Sequence, residues 1–199
     1  MDRTVKLAIF SLLFNAFFAV YHIISGVTAH SLWLFTLGIY YAILSIVRFA
    51  VLKTKKQNDF VTRFTGVVLM LLSLPLAGIV TLAVVRDRGI VMHEIVMIAM
   101  ATYSFTKITL ATVNLIKSRK SNSAKLVTLR NISLSDAFVS IFALQRSMLV
   151  SFGNMSETNI CIFNAVVGTA VCVMVFLLGL NLARRKKIMF GNLSRDQSY

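Results

Sequence analysis

Proline occurs once in these 199 residues, cysteine twice and tryptophan once, and the chain has only seven acidic residues against 21 lysines and arginines. Each scarcity excludes something. One proline leaves no proline-rich linker or extended arm. Cys161 and Cys172 lie in one apolar stretch about three helical turns apart, too far to bond to each other. No CxxC-like spacing accompanies them, so they read as packing thiols. No glycine-rich phosphate loop, HExxH, GxSxG or nucleophile–base constellation occurs, so the chain does not read as an enzyme and no cofactor is expected. Charged residues make up 14% of the chain, where a soluble domain carries closer to a quarter.

Hydrophobic residues fill the space: 57% of the chain, with a mean hydropathy of +0.80. Apolar runs near 20 residues recur along its length, each long enough to cross about 30 Å of hydrocarbon as a helix. The pattern predicts helices over residues 7–24, 31–52, 64–85, 93–116, 126–152 and 160–182. The first run exceeds the apolar core of a signal peptide and reads as a spanning helix. Pro75 falls inside the third run, where neighbouring helices can re-satisfy the freed carbonyl. The expected fold class is all-α: a polytopic membrane protein with six transmembrane helices in one domain, ending in a short basic tail at 183–199.

A net charge of +14 would point, in a soluble protein, to nucleic acid or another acidic partner. Its distribution decides otherwise. Lys and Arg gather at the start of the chain, around the loop between helices two and three, around Lys117–Lys125, and in the tail. The loop between helices three and four carries only Arg86 and Arg88. This asymmetry follows the positive-inside rule, with both termini in the cytoplasm. The expected partners are the bilayer itself and anionic headgroups at Arg184, Arg185, Lys186 and Lys187. Nucleic acid is not expected, because no basic segment is interleaved with stacking aromatics. Any homodimer would form through the helices.

Helices four and five carry charges where a bilayer penalises them. If they form a hairpin turning at Ser121–Asn122, Lys107 and Asp136 lie equally far from the turn and face each other, about 15 Å from the basic loop. Glu94 and Arg146 come within about three residues of facing each other, roughly 4.5 Å at helical rise, within reach of an Arg side chain. Buried ionisable residues of this kind are functional-site hypotheses by default, although a mutual ion pair that fixes helix register explains them equally well. Asp136, Ser140, Ser147 and Ser151 share one stripe of helix five, which must face other helices or a polar cavity. Arg48 reads as snorkelling to the interface at the end of helix two. Asn15, Asn114 and Asn164 read as interhelical glue. His22, His30 and His93 form no ligand motif.

Asn15–Arg48, with an asparagine in the first helix, a glycine turn and a Ser-Leu start to the second, resembles the first two helices of cation diffusion facilitators. The segment Leu126–Ser151, containing SLSDAFVS, resembles that family's fifth helix. The resemblance covers about a third of the chain and implies a six-helix bundle with both termini inside. It also implies a metal ligand at Asp136. The histidine expected four residues earlier is Ile132, and the two aspartates of helix two fall near Gly38 and Ala42, so the family's tetrahedral metal site is not carried over. The whole chain also resembles a group of small six-helix membrane proteins of Gram-positive bacteria, which implies a bacterial plasma membrane location and no activity. Two readings follow. One is a small transporter of a cation or small polar solute, with Asp136 as buried carboxylate, Lys107 as its partner, Ser140 beside them, and Glu94 with Arg146 as an outer pair. The alternative is a non-transporting membrane scaffold or partner subunit whose buried charges are structural.

Overall fold

Hydropathy marks where a chain is apolar, but a helix continues past that mark for as long as its backbone has no better partner than itself. The computed structural model describes residues 3–54, 59–85, 94–117, 124–152 and 156–184. Among them lie six helices: α1 (Arg3–Thr28), α2 (Leu32–Lys53), α3 (Asp59–Val85), α4 (Glu94–Lys117), α5 (Ala124–Phe152) and α6 (Glu157–Ala183). Each matches an expected helix, and most begin or end several residues outside the apolar run. Within the described residues, α1, α2, α3, α5 and α6 are long and apolar enough to cross a membrane.

The exterior is apolar, unlike that of a soluble protein, and several charges lie inside. Phe17, Ile46, Leu74, Ile98 and Val166 are among many large apolar side chains that face outward, while Arg48, Lys107, Asp136 and Arg146 are buried. Outward-facing threonines are satisfied without water. Thr81, Thr102, Thr106 and Thr109 each donate to the carbonyl four residues back in their own helix, the way a hydroxyl is accommodated in hydrocarbon.

The chain pairs as α1 with α2, α4 with α5, and α3 with α6, and α5 also packs on α2, α3 and α6. The apolar core lies around α2, α3, α5 and α6, with Leu37, Leu44, Leu69, Leu76, Phe142 and Val175 in it. Gly26 does not form the turn between the first two helices, as its position suggested. It is helical, and a Cβ there would lie 2.5 Å from the backbone nitrogen of Phe35, so its role is close approach of α1 to α2. The turn falls at Ala29–His30, where His30 takes a left-handed φ of 48°. Ser31 then caps α2, its Oγ accepting from the Leu34 N–H at 3.4 Å.

Lys125, expected in the basic hairpin loop, lies in the first turn of α5 and reaches across to the end of α2. Its Nζ donates to the carbonyls of Leu52 and Thr54 at 2.8 and 3.0 Å. A cation at a helix C-terminus satisfies carbonyls that have no intrahelical donor, and it complements the helix dipole. Lys125→Met is therefore expected to cost about 1 kcal/mol. It should also speed amide exchange in the last turn of α2 while leaving α3 and α6 unchanged. Equal protection in both proteins would show that the contact carries no weight.

Candidate functional site

Four helices bring polar stripes to one point. On α1, Ser11, Asn15 and His22 recur at spacings of four and seven. On α2, Tyr41, Ser45 and Arg48 recur at spacings of four and three. Tyr103 and Lys107 sit one turn apart on α4, as do Asp136 and Ser140 on α5, so each set shares a helix face. The faces meet around Asp136, whose residue is 1% exposed.

Lys107 Nζ donates to Asp136 Oδ1 at 2.6 Å and to Ser140 Oγ at 3.1 Å. Antiparallel hairpin geometry predicted this pair, and the structure brings it together. Ser140 passes its own proton to the Asp136 carbonyl at 2.8 Å and lies 3.2 Å from the Tyr41 hydroxyl. The ammonium also sits over two rings, 4.6 Å from the centroid of Tyr41 and 4.3 Å from that of Tyr103. An aromatic cage of this kind replaces part of the hydration that a buried cation loses.

The other carboxylate oxygen, Oδ2, accepts from Asn15 Nδ2 at 2.7 Å and from Arg48 at 3.4 Å. Asn15 is fixed in turn by the Tyr103 hydroxyl, which donates to its Oδ1 at 2.8 Å. Arg48 corrects the sequence reading, because it does not snorkel to the interface. It is 0% exposed, forms the second ion pair to Asp136, and donates to Ser11 and, at 3.4 Å, to Ser133. An interfacial position would have required its stripe to face lipid, and Tyr41 and Ser45 on that stripe are buried as well. The spacing of Arg48 from Tyr41 was the available signal. Distance from the helix end outweighed it.

Behind the centre, His22 stacks on Tyr41 with ring centroids 5.8 Å apart, and Phe18 stacks on Tyr103 at 3.9 Å. His22 Nδ1 is buried and makes no hydrogen bond among the described residues. The centre therefore holds one carboxylate and two cations, framed by the hydroxyls of Tyr41, Tyr103, Ser11, Ser133 and Ser140 and by the Asn15 amide. Among the described residues no group of three His, Cys, Asp or Glu lies together as metal ligands would.

The expected Glu94–Arg146 pair does not occur among the ion pairs of the described residues. Glu94 is exposed at the start of α4. Arg146 is turned into the bundle, donating to the Ala83 carbonyl at 3.1 Å and lying 5.1 Å from the centroid of the Trp33 ring. Facing positions on a hairpin set depth alone, and rotation about α5 points Arg146 at α2 and α3. Ser147 is buried on the expected stripe, and Asn164 is buried on α6. Ile132, at the position of the family's histidine, lies in the apolar core. Arg184 is exposed just beyond α6. His93, Arg185, Lys186 and Lys187, and the side chain of Asn114, lie outside the described residues.

An apolar groove of about 430 Å³ runs between α4 and α5, lined by Phe105, Ile108, Ile141, Leu144, Gln145, Met148 and Leu149. It contains none of the charged centre. Helices and centre together define a class: an all-helical protein with an apolar surface and a charged interior, which fits an integral multi-pass membrane protein. Compared with known protein families, characterised proteins and solved structures, the chain matches none of them.

Proposed function

We propose that the protein is a small multi-pass membrane transporter, with six spanning helices and both termini on the cytoplasmic side of a bacterial plasma membrane. Its site for a small charged or polar solute is the Asp136 centre. The observation that supports this is the convergence of side chains from α1, α2, α4 and α5 on one buried carboxylate held by two competing cations. A carboxylate with two cationic partners can release one and keep the other, so a solute is able to enter without stranding a charge. Stranding one near the midplane costs about 2.5 kcal/mol or more. The basic run from Arg184 to Lys187 would rest against anionic headgroups. The remote resemblance of two segments to the transmembrane part of cation diffusion facilitators agrees with this helix plan, without that family's metal chemistry.

A second reading, a membrane scaffold or partner subunit, is favoured by the same geometry in one respect. Both oxygens of Asp136 are already taken, Oδ1 by Lys107 and Oδ2 by Asn15 and Arg48, as a purely structural ion-pair network requires. The two readings separate on flux into vesicles containing the purified chain, tested with a panel of cations, anions and neutral solutes. The transporter reading expects flux of one solute class, lost in Asp136→Asn protein that still inserts and stays monodisperse. Absence of flux for every solute from folded, inserted wild type would leave the scaffold reading.

A further inference from the structure

The two cations of the centre are not held alike. Lys107 is tightly engaged, 2.6 Å from Asp136, 3.1 Å from Ser140, and caged by two rings. Arg48 is loosely engaged. Its contacts to Asp136 and Ser133 are both 3.4 Å, at the long limit for a hydrogen bond, and only Ser11 is close. Its Nε is buried and donates to nothing among the described residues, although the whole residue is 0% exposed. A guanidinium offers five N–H donors in a planar fork matched to a carboxylate, and buried donors left unused are costly. Lys107 and Asp136 already neutralise each other. The charge of Arg48 is therefore the excess of the centre, and its donors are the spare ones.

We infer that Arg48 receives a small carboxylate anion, and that Asp136 is the internal carboxylate occupying the guanidinium in its place. This rests on the transporter reading above and names its solute class. An entering carboxylate takes the Arg48 fork and displaces only the 3.4 Å contacts to Asp136 and Ser133. Asp136 keeps Lys107 and Asn15, at 2.6 and 2.7 Å, so no charge is stranded. The centre passes from one net positive charge to none. A metal cation meets the opposite situation, since it adds charge to a centre already positive and must strip donors from its single carboxylate. Ser11 and Ser133 flank the guanidinium toward the end of the bundle where α2 stops and α5 starts, so the anion arrives from that end.

The test uses the full chain in detergent and in liposomes, as wild type, Arg48→Gln and Arg48→Lys. Thermal unfolding is followed in sodium lactate, phosphate and chloride, and in the chlorides of potassium, manganese and zinc. Uptake of labelled lactate is measured alongside. Lactate is expected to raise the wild-type Tm saturably, and Arg48→Gln is expected to lose that rise and at least tenfold of the uptake. Arg48→Lys, which keeps the charge without the fork, should fall between them and covers the case in which Arg48→Gln does not fold. A saturable shift without uptake would leave the anion site standing and remove the transporter reading. Cation uptake without a lactate response would overturn the anion inference and leave transport in place. A lactate response equal in wild type and Arg48→Gln would overturn the assignment to Arg48, and a response to phosphate or chloride alone would overturn the carboxylate class. No response to any anion overturns the inference outright.

Discussion

Asp136→Asn is expected to lose about 3–5 kcal/mol of stability, the largest effect of any single change at the centre. The substitution is nearly isosteric, so the loss is electrostatic. It leaves Lys107 and Arg48 together with no anion between them, both buried. The companion substitutions rank below it for a stated reason. Lys107→Met leaves Asp136 with Arg48 at 3.4 Å and Asn15 at 2.7 Å, a neutral but poorly matched set. Arg48→Gln leaves the short Lys107 pair intact and removes the excess charge, so it should be the mildest of the three. The double variant Asp136→Asn with Lys107→Met should regain part of the loss, with a coupling of about 1–3 kcal/mol. Reversible unfolding of the purified protein in mixed micelles measures all four. Three single variants of equal stability would refute the ranking, and with it the view that Arg48 carries the surplus charge. Exchanging Lys107 and Asp136 is not a clean rescue, because a lysine at 136 would lie against Arg48.

Gly179→Val is expected to separate α3 from α6, at a cost of about 3 kcal/mol from overpacking alone. A Cβ at Gly179 would lie 2.8 Å from the Gly66 carbonyl oxygen and 2.8 Å from the Met70 nitrogen. A Cβ at Gly66 would lie 2.5 Å from the Ala183 nitrogen. These neighbours are backbone, so no rotamer change relieves the contact and a whole helix must move. Close approach of this kind is how membrane helices gain packing where no hydrophobic force draws them together. Gly78 supplies the control, because a Cβ there meets nothing within 4 Å. Gly78→Ala, on α3 with Gly66, should be neutral or gain up to about 1 kcal/mol from helix propensity. If Gly179→Val and Gly78→Ala unfold at the same temperature, the α3–α6 contact is not the tight one described.

Much of the bundle was legible before any coordinates. The six helices follow from apolar runs that bury a backbone polar group nowhere but in its own helix, and this is a local rule. The Lys107–Asp136 pair was legible because a hairpin fixes depth, and two opposite charges at equal depth in hydrocarbon have little choice but each other. Arg48 and Asn15 were not assigned to the centre. Each is a single polar residue near or within an apolar run, and its meaning depends on which face of α1 and α2 turns inward. The stripes Ser11–Asn15–His22 and Tyr41–Ser45–Arg48 carried a faint signal of that face. The Glu94–Arg146 pair failed for the complementary reason: equal depth brings two residues level without pointing them at each other.

What the sequence determined by itself was therefore class and depth: helices, their order, and the level at which each charge sits, all set by chain-local hydrophobicity and a rise of about 1.5 Å per residue. What only the tertiary structure decided was azimuth, the direction in which each helix face points. Azimuth comes from side-chain packing between helices distant in sequence, such as Gly66 against Gly179 and Asn15 against Asp136. It turned one ion pair into a three-charge centre and left the buried Arg48 Nε with no acceptor among the described residues.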